Sequence, residues 1–270
     1  MNNGGYKLII VEGEVREKDI FESVEQFFFN KEKLKYINLP AKQNIYMLWN
    51  ILNKDEFQTD MVEILRENVD VAKELLKGIT RNDIDEIFLF FDFDIHQDNI
   101  PKSVLKELSV DDIIKQLLGV FNNETEFGKL YISYPMIEAV RDLNLQGCHT
   151  YSINCTVKND ELSQYKNRSG ENNPLGEIKK YSKESWQNIL EAFAMRVSCL
   201  YSLTKVISFE KYKNDIDPLN IYLKQEERFL PDETFILSAI PEFILDYFKK
   251  NFWRSWIRVS KLHKDNTCLI

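Results

Sequence analysis

Apolar residues along the chain fall into two alternating kinds of run. Short continuous runs read as strands buried on both faces, and longer stretches with a 3.6-residue period read as helices. Lys7 to Val11 is the first run, closed by Glu12 and Gly13. From about Glu17 to Phe29, Ile20, Val24, Phe27 and Phe28 recur at helical spacing and form one apolar face. Lys33 to Leu39 reads as a second strand stopped by Pro40, Ile45 to Leu52 as a helix, and Met61 to Lys77 as a further helix with Gly78 as its stop. Ile87 to Asp94, IFLFFDFD, is the third strand. A polar loop around Pro101, a helix from Val110 to Phe121 and a fourth strand from Leu130 to Ser133 follow. Strands alternating with helices predict an α/β fold with a mainly parallel sheet and helices on both faces.

The remaining chain has a different texture. Lys158 to Ser185 is polar and rich in Asn, Gly and Ser, so it reads as a long loop or lid. Trp186 to Val206 predicts a strong helix, and Thr234 to Phe252 a helical run kinked or split at Pro241. The expected organisation is an α/β domain over residues 1–145 and a mainly helical region over 146–270, with the polar loop near 158–185.

Charge and composition narrow the function classes. A chain of 270 residues with 44% hydrophobic content can bury a full core. A net charge of −8 argues against coating nucleic acid through bulk electrostatics, though a local basic groove remains compatible with it. Lys249 to Lys264 carries six cations and no acid, which makes it the expected contact for an anionic partner. No run reaches the roughly 20 apolar residues needed to cross a bilayer, and the opening residues lack a signal-peptide pattern. The expectation is a cytoplasmic protein with no membrane contact, its four cysteines reduced. Cys148, His149 and Cys155 lack a fourth ligand and CxxC spacing, so packing or surface placement is favoured over zinc.

The candidate chemistry is acidic. Strand residues two apart share a face, so Asp92 and Asp94 project together while Phe93 turns away. Adjacent carboxylates repel unless a proton or a hard cation compensates, which predicts a Mg²⁺ or Mn²⁺ site. Glu12 and Glu138 also fall at or just beyond strand ends, where open α/β sheets bind ligands. The basic segment interleaves cations with Phe252, Trp253 and Trp256. Stacking on single-stranded nucleic acid is one reading; a buried stripe of Phe252, Trp256 and Val259 with a basic back is the other.

An early strand ending in VEGE (Val11 to Glu14), a later strand ending in DFD, and the α/β pattern between them resemble the TOPRIM fold over about residues 6–145. The resemblance implies that Glu12 corresponds to the family's glutamate, and Asp92 and Asp94 to its DxD pair. Glu138, in SYPMIEAV, matches the further carboxylate of the nuclease branch, which includes the overcoming-lysogenization-defect nucleases and related phage-defence effectors. The family's second acid, about four residues after its glutamate, is Arg16 here, with Glu17 and Asp19 close behind. The resemblance implies a metal-dependent nuclease acting on DNA or RNA in antiviral defence. Glu12, Asp92 and Asp94 would be catalytic, and Glu12, Asp92, Asp94 and Glu138 would hold Mg²⁺ or Mn²⁺. Glu12, its pKa raised by neighbouring carboxylates, would also handle a proton. Members of this branch work beside an ABC-type ATPase, and no Walker sequence occurs here, so that ATPase would be a separate chain. Oligomeric state stays open. Two alternatives stand beside this reading. One is a haloacid-dehalogenase-like phosphatase, with Asp92 as nucleophile, Asp94 as acid/base, and His96 where that family carries Thr or Val. The other is a non-catalytic TOPRIM-like module docking on an ATPase.

Overall fold

The computed structural model describes residues 5–13, 16–29, 34–38, 45–54, 56–93, 100, 104–144, 155–171, 173–230 and 232–258. These form an α/β protein whose chain divides into two compact units, Met1–Tyr131 and Ile132–Ile270; the sequence pattern had placed the boundary near residue 145.

The first unit is built on strands β1 (Tyr6–Val11), β2 (Leu34–Asn38) and β3 (Ile84–Asp92). Leu8 to Val11 and Ile87 to Phe91 are at most 3% exposed, so both strands are covered on both faces. That is why their sequence reads as unbroken apolar runs instead of an alternation. Strand β1 pairs in parallel with β2 on one side and β3 on the other, with Val11 opposite Asn38 and Phe90. The five-stranded sheet runs β2-β1-β3-β5-β4, where β4 is Asn122–Asn123 and β5 is Gly128–Ser133. Strand β5 is the expected fourth strand; its antiparallel partner β4 was not legible in the sequence, because two residues are too few to carry a periodicity.

Helix α1 (Arg16–Phe28) connects β1 to β2 and buries Ile20, Phe21 and Val24. Phe21 meets Phe90 of β3 edge-on at 4.7 Å, and Phe90 stacks on Tyr131 at 5.5 Å, so α1 covers the face of β3 that carries Phe88, Phe90 and Asp92. The return to β3 passes through α2 (Ile45–Asn53), α3 (Met61–Asn68) and α4 (Asp70–Leu75). A single helix over 61–77 was expected. It breaks at Val69, which is extended at φ −126° and ψ 111°, while the Asn68 side chain bonds the Ile64 carbonyl at 2.8 Å. Asn competes for helical carbonyls in this way, and a β-branched residue beside it favours the extended state. Gly78, at φ +72°, makes the expected turn. Helix α5 (Val110–Val120) is opened by a capping box between Ser109 and Asp112, and Gln116 accepts a 3.2 Å hydrogen bond from Trp49 of α2.

The second unit is mainly helical around α7 (Lys183–Leu200), which follows α6 (Leu162–Arg168). Residues 158–185, read from sequence as a loop or lid, contain α6 and bury Leu162, Tyr165, Leu175 and Tyr181. The apolar anchors are spaced too widely, among too many polar residues, to register as a periodic face. Helices α8 (Phe209–Asp215) and α9 (Pro218–Arg228) precede a two-stranded antiparallel sheet of β6 (Thr156–Lys158) and β7 (Glu233–Phe235). The buried Gln225 amide both donates to and accepts from Phe235, which leaves that strand end satisfied. Arg228 caps the last carbonyls of α7, at Cys199 and Leu200.

Two expectations change in this unit. Pro241 does not split a helix. It stands in the first turn of α10 (Ala239–Tyr247), where no intrahelical N–H is lost, and the next helix, α11 (Lys250–Trp256), starts after Phe248. Cys199 is disulfide-bonded, where a reduced thiol was expected. No helix among the described residues is long and apolar enough to cross a membrane.

Candidate metal centre

Strand order decides where the site forms. The chain leaves β1 toward β2 on one side, then returns past β1 to β3 on the other. The chain leaves β3 toward β5 and β4, away from β2, so β1 and β3 are adjacent strands whose onward connections run in opposite directions, and the carboxyl ends of such a pair are where open α/β sheets bind ligands. Glu12 is the first residue after β1, and Asp92 is the last of β3. Eighty positions apart in sequence, they meet: the Asp92 backbone N–H donates to Glu12 Oε2 at 3.4 Å. Both are half-buried. Asp92 shares the pleat face of Phe88 and Phe90, while Phe93, 5% exposed, turns to the other face as its alternation predicts.

A third carboxylate stands at the β1–α1 turn. Glu17 is 9% exposed, and its carboxylate lies directly over Gly13, so close that a Cβ on residue 13 would collide with both oxygens. Glu17 also lies in the first turn of α1, where the positive end of the helix dipole favours an acid. Asp19, the other acid in that turn, is half-exposed. Of the two acids that could follow Glu12, Glu17 is therefore the one that packs on its turn. The sequence signal was Gly13 itself, a residue without a Cβ directly after a strand-end glutamate.

The other expected residues divide. Asp94 lies outside the described residues, as do His96, Cys148 and His149. Glu138 belongs to the second unit, in a 3₁₀ segment, Ile137–Asp142, after the cis Tyr134–Pro135 bond. It is 3% exposed, and Lys166 of α6 reaches its Oε1 at 3.6 Å. Lys166 was not singled out from sequence, because it falls in the segment read as a loop. Beside Glu138, Arg141 is buried, and the Asp142 carboxylate accepts a 2.7 Å hydrogen bond from Tyr165. Arg196 bonds the carbonyls of Asp142 and Ile236. Burial pushes the Asp142 carboxyl above its usual range, against the opposing pull of the Tyr165 hydroxyl and the Arg196 charge.

Chemically, these strand ends offer carboxylate oxygens and no thiol or imidazole among the described residues, which suits a hard cation such as Mg²⁺ or Mn²⁺. Like charges brought close in a partly buried site repel, which a divalent ion would offset. Among the described residues, no group of three or more His, Cys, Asp or Glu side chains is arranged to hold a metal, so the described centre is the Glu12–Asp92 pair. Searches against protein-family models, curated proteins and solved structures return no match, and the assignment rests on the residues and their geometry.

Proposed function

We propose that the protein is a metal-dependent nuclease of TOPRIM-like build that hydrolyses nucleic-acid phosphodiester bonds. The observation that carries this reading is the meeting of Glu12 and Asp92 at the switch point of the sheet, through a 3.4 Å hydrogen bond. Glu12 and Asp92, with Asp94 as the further ligand the resemblance implies beside them, would hold Mg²⁺ or Mn²⁺. The ion would neutralise charge on the transferring phosphoryl group and supply a nucleophilic water. Glu12, whose carboxylate accepts the Asp92 backbone N–H, would orient that water and take its proton. Within this reading the setting is antiphage defence in the cytoplasm, and the partner is a separate ABC-type ATPase.

The phosphatase alternative would make Asp92 a nucleophile. The Glu12 carboxylate already bonds the Asp92 backbone, so a phosphoaspartate there would form against a fixed negative charge, which disfavours that chemistry. The non-catalytic alternative predicts no cleavage at all. The test is an assay of plasmid, single-stranded DNA and RNA in Mn²⁺. The native chain should cleave at least one of them, and Glu12→Gln and Asp92→Asn should each lose about 100-fold or more. Native-level activity in either variant would overturn the assignment.

A further inference from the structure

Aromatic residues around α11 have two fates. Trp253 points inward, 6% exposed, against Phe209 and Tyr212. Phe248, Phe252 and Trp256, spaced four residues apart, are half-exposed and stack on one another. Phe248 and Phe252 lie 4.4 Å apart at 19° between planes, and Phe252 and Trp256 lie 5.5 Å apart at 23°. Of the stripe read through Phe252, Trp256 and Val259, Val259 lies outside the described residues and the other two are only half-buried: Trp253 fills the core, and Phe248, Phe252 and Trp256 form a half-exposed ladder. The charges around it are mainly cationic, although Glu210 pairs with Lys250 and the Glu191 carboxylate accepts the Arg258 backbone N–H. Lys249, Arg254 and Arg258 are exposed, and the exposed Lys183 holds its ammonium 5.7 Å from the centre of the Trp256 ring. No acid occurs from Lys249 to Arg258, in a chain of net charge −8.

We propose that this ladder binds single-stranded nucleic acid. A base stacks on the Trp256 end, and Lys183, Arg254 and Arg258 take the flanking phosphates. The inference rests on the nuclease reading and narrows its substrate class. A single strand is favoured over a duplex because only unpaired bases have faces free to extend a stack of rings. Lys183 yields its place on the indole, since an exposed cation–π contact is weaker than base stacking, and its ammonium then reaches a phosphate. The acidic surface elsewhere confines the contact to a few phosphates.

Trp49, Trp186 and Trp253 are at most 6% exposed, so Trp256 is the indole that reports on this surface. The experiment titrates the full chain in EDTA, where metal-dependent cleavage is suppressed, with oligo(dT), oligo(U), a duplex of equal length, and phosphatidylserine–phosphatidylcholine vesicles. Single strands should quench the emission. Phe252→Leu and Trp256→Leu should each weaken retention of a labelled oligonucleotide by about tenfold. Arg254→Ala should reduce the salt slope of log Kd by about 0.7. The proposal falls if single strands do not bind, if the duplex binds as tightly, or if only vesicles quench. Strand binding with no cleavage by the native chain in Mn²⁺ would retain the ladder and overturn the nuclease. Cleavage with normal binding in both ladder variants would do the reverse.

Discussion

Gly13 shows how much one missing atom can hold in place. Its absent Cβ leaves room for the Glu17 carboxylate, and that packing sets the turn from which Glu12 reaches the end of β3. In Gly13→Ala the new methyl group and the Glu17 carboxylate compete for one volume. Glu17 must rotate out, and the turn carrying Glu12 loosens with it. The expected result is a fall of tenfold or more in Mn²⁺-dependent cleavage, about the loss that follows an ångström-scale misplacement of a reacting group. The urea midpoint should move little, because the turn lies at the edge of the core. A large loss of stability with unchanged activity per folded molecule would show that the glycine serves folding alone.

At the scale of elements, the parallel core was legible and its trimmings were not. Runs such as LIIV and IFLFF are apolar because central strands are covered on both faces, so their type could be read directly. The acids at their ends could be read for the same reason: a charge directly after such a run marks where the sheet meets solvent. Asp92 and Glu12 were found this way. Illegible elements depend on contacts distant in sequence. Strand β4 is one of them, and Gly128 is the hinge of its hairpin with β5. Gly128 has φ +115°, and a Cβ there would lie 2.6 Å from Leu89 Cδ1 and 3.0 Å from Ile87 Cγ2 of β3. Gly128→Ala meets both backbone strain and a clash, so it should cost about 1–3 kcal/mol, read as a lower urea midpoint. An unchanged midpoint would mean that the hairpin relaxes freely. Helix α6 was hidden for a different reason: Leu162 and Tyr165 anchor it within a polar stretch, and two anchors do not make a period.

On the scale of the whole molecule, pH exposes the cost of burying acid. Burial raises the Asp142 carboxyl above its unfolded value, with the Tyr165 hydrogen bond and nearby arginines opposing. A carboxyl of this kind favours the folded state when protonated. Its contribution is present below the unfolded pKa and is lost as pH rises through the folded one. Asn at this position still accepts the Tyr165 hydrogen bond and carries no charge. Relative to the native chain, the Tm of Asp142→Asn should therefore improve as pH rises from about 4 to about 7. A constant difference, or one of the opposite sign, would show that the arginines outweigh burial.

The proposed metal centre requires that acids remote in sequence share a divalent ion. Calorimetric titration of the native chain with Mn²⁺ tests that most directly. A saturable site should appear, and Glu12→Gln and Asp92→Asn should each weaken it by tenfold or more while the circular dichroism spectrum stays unchanged. No binding heat from the native chain, or equal affinity in all three proteins, would contradict the metal centre and the function built on it.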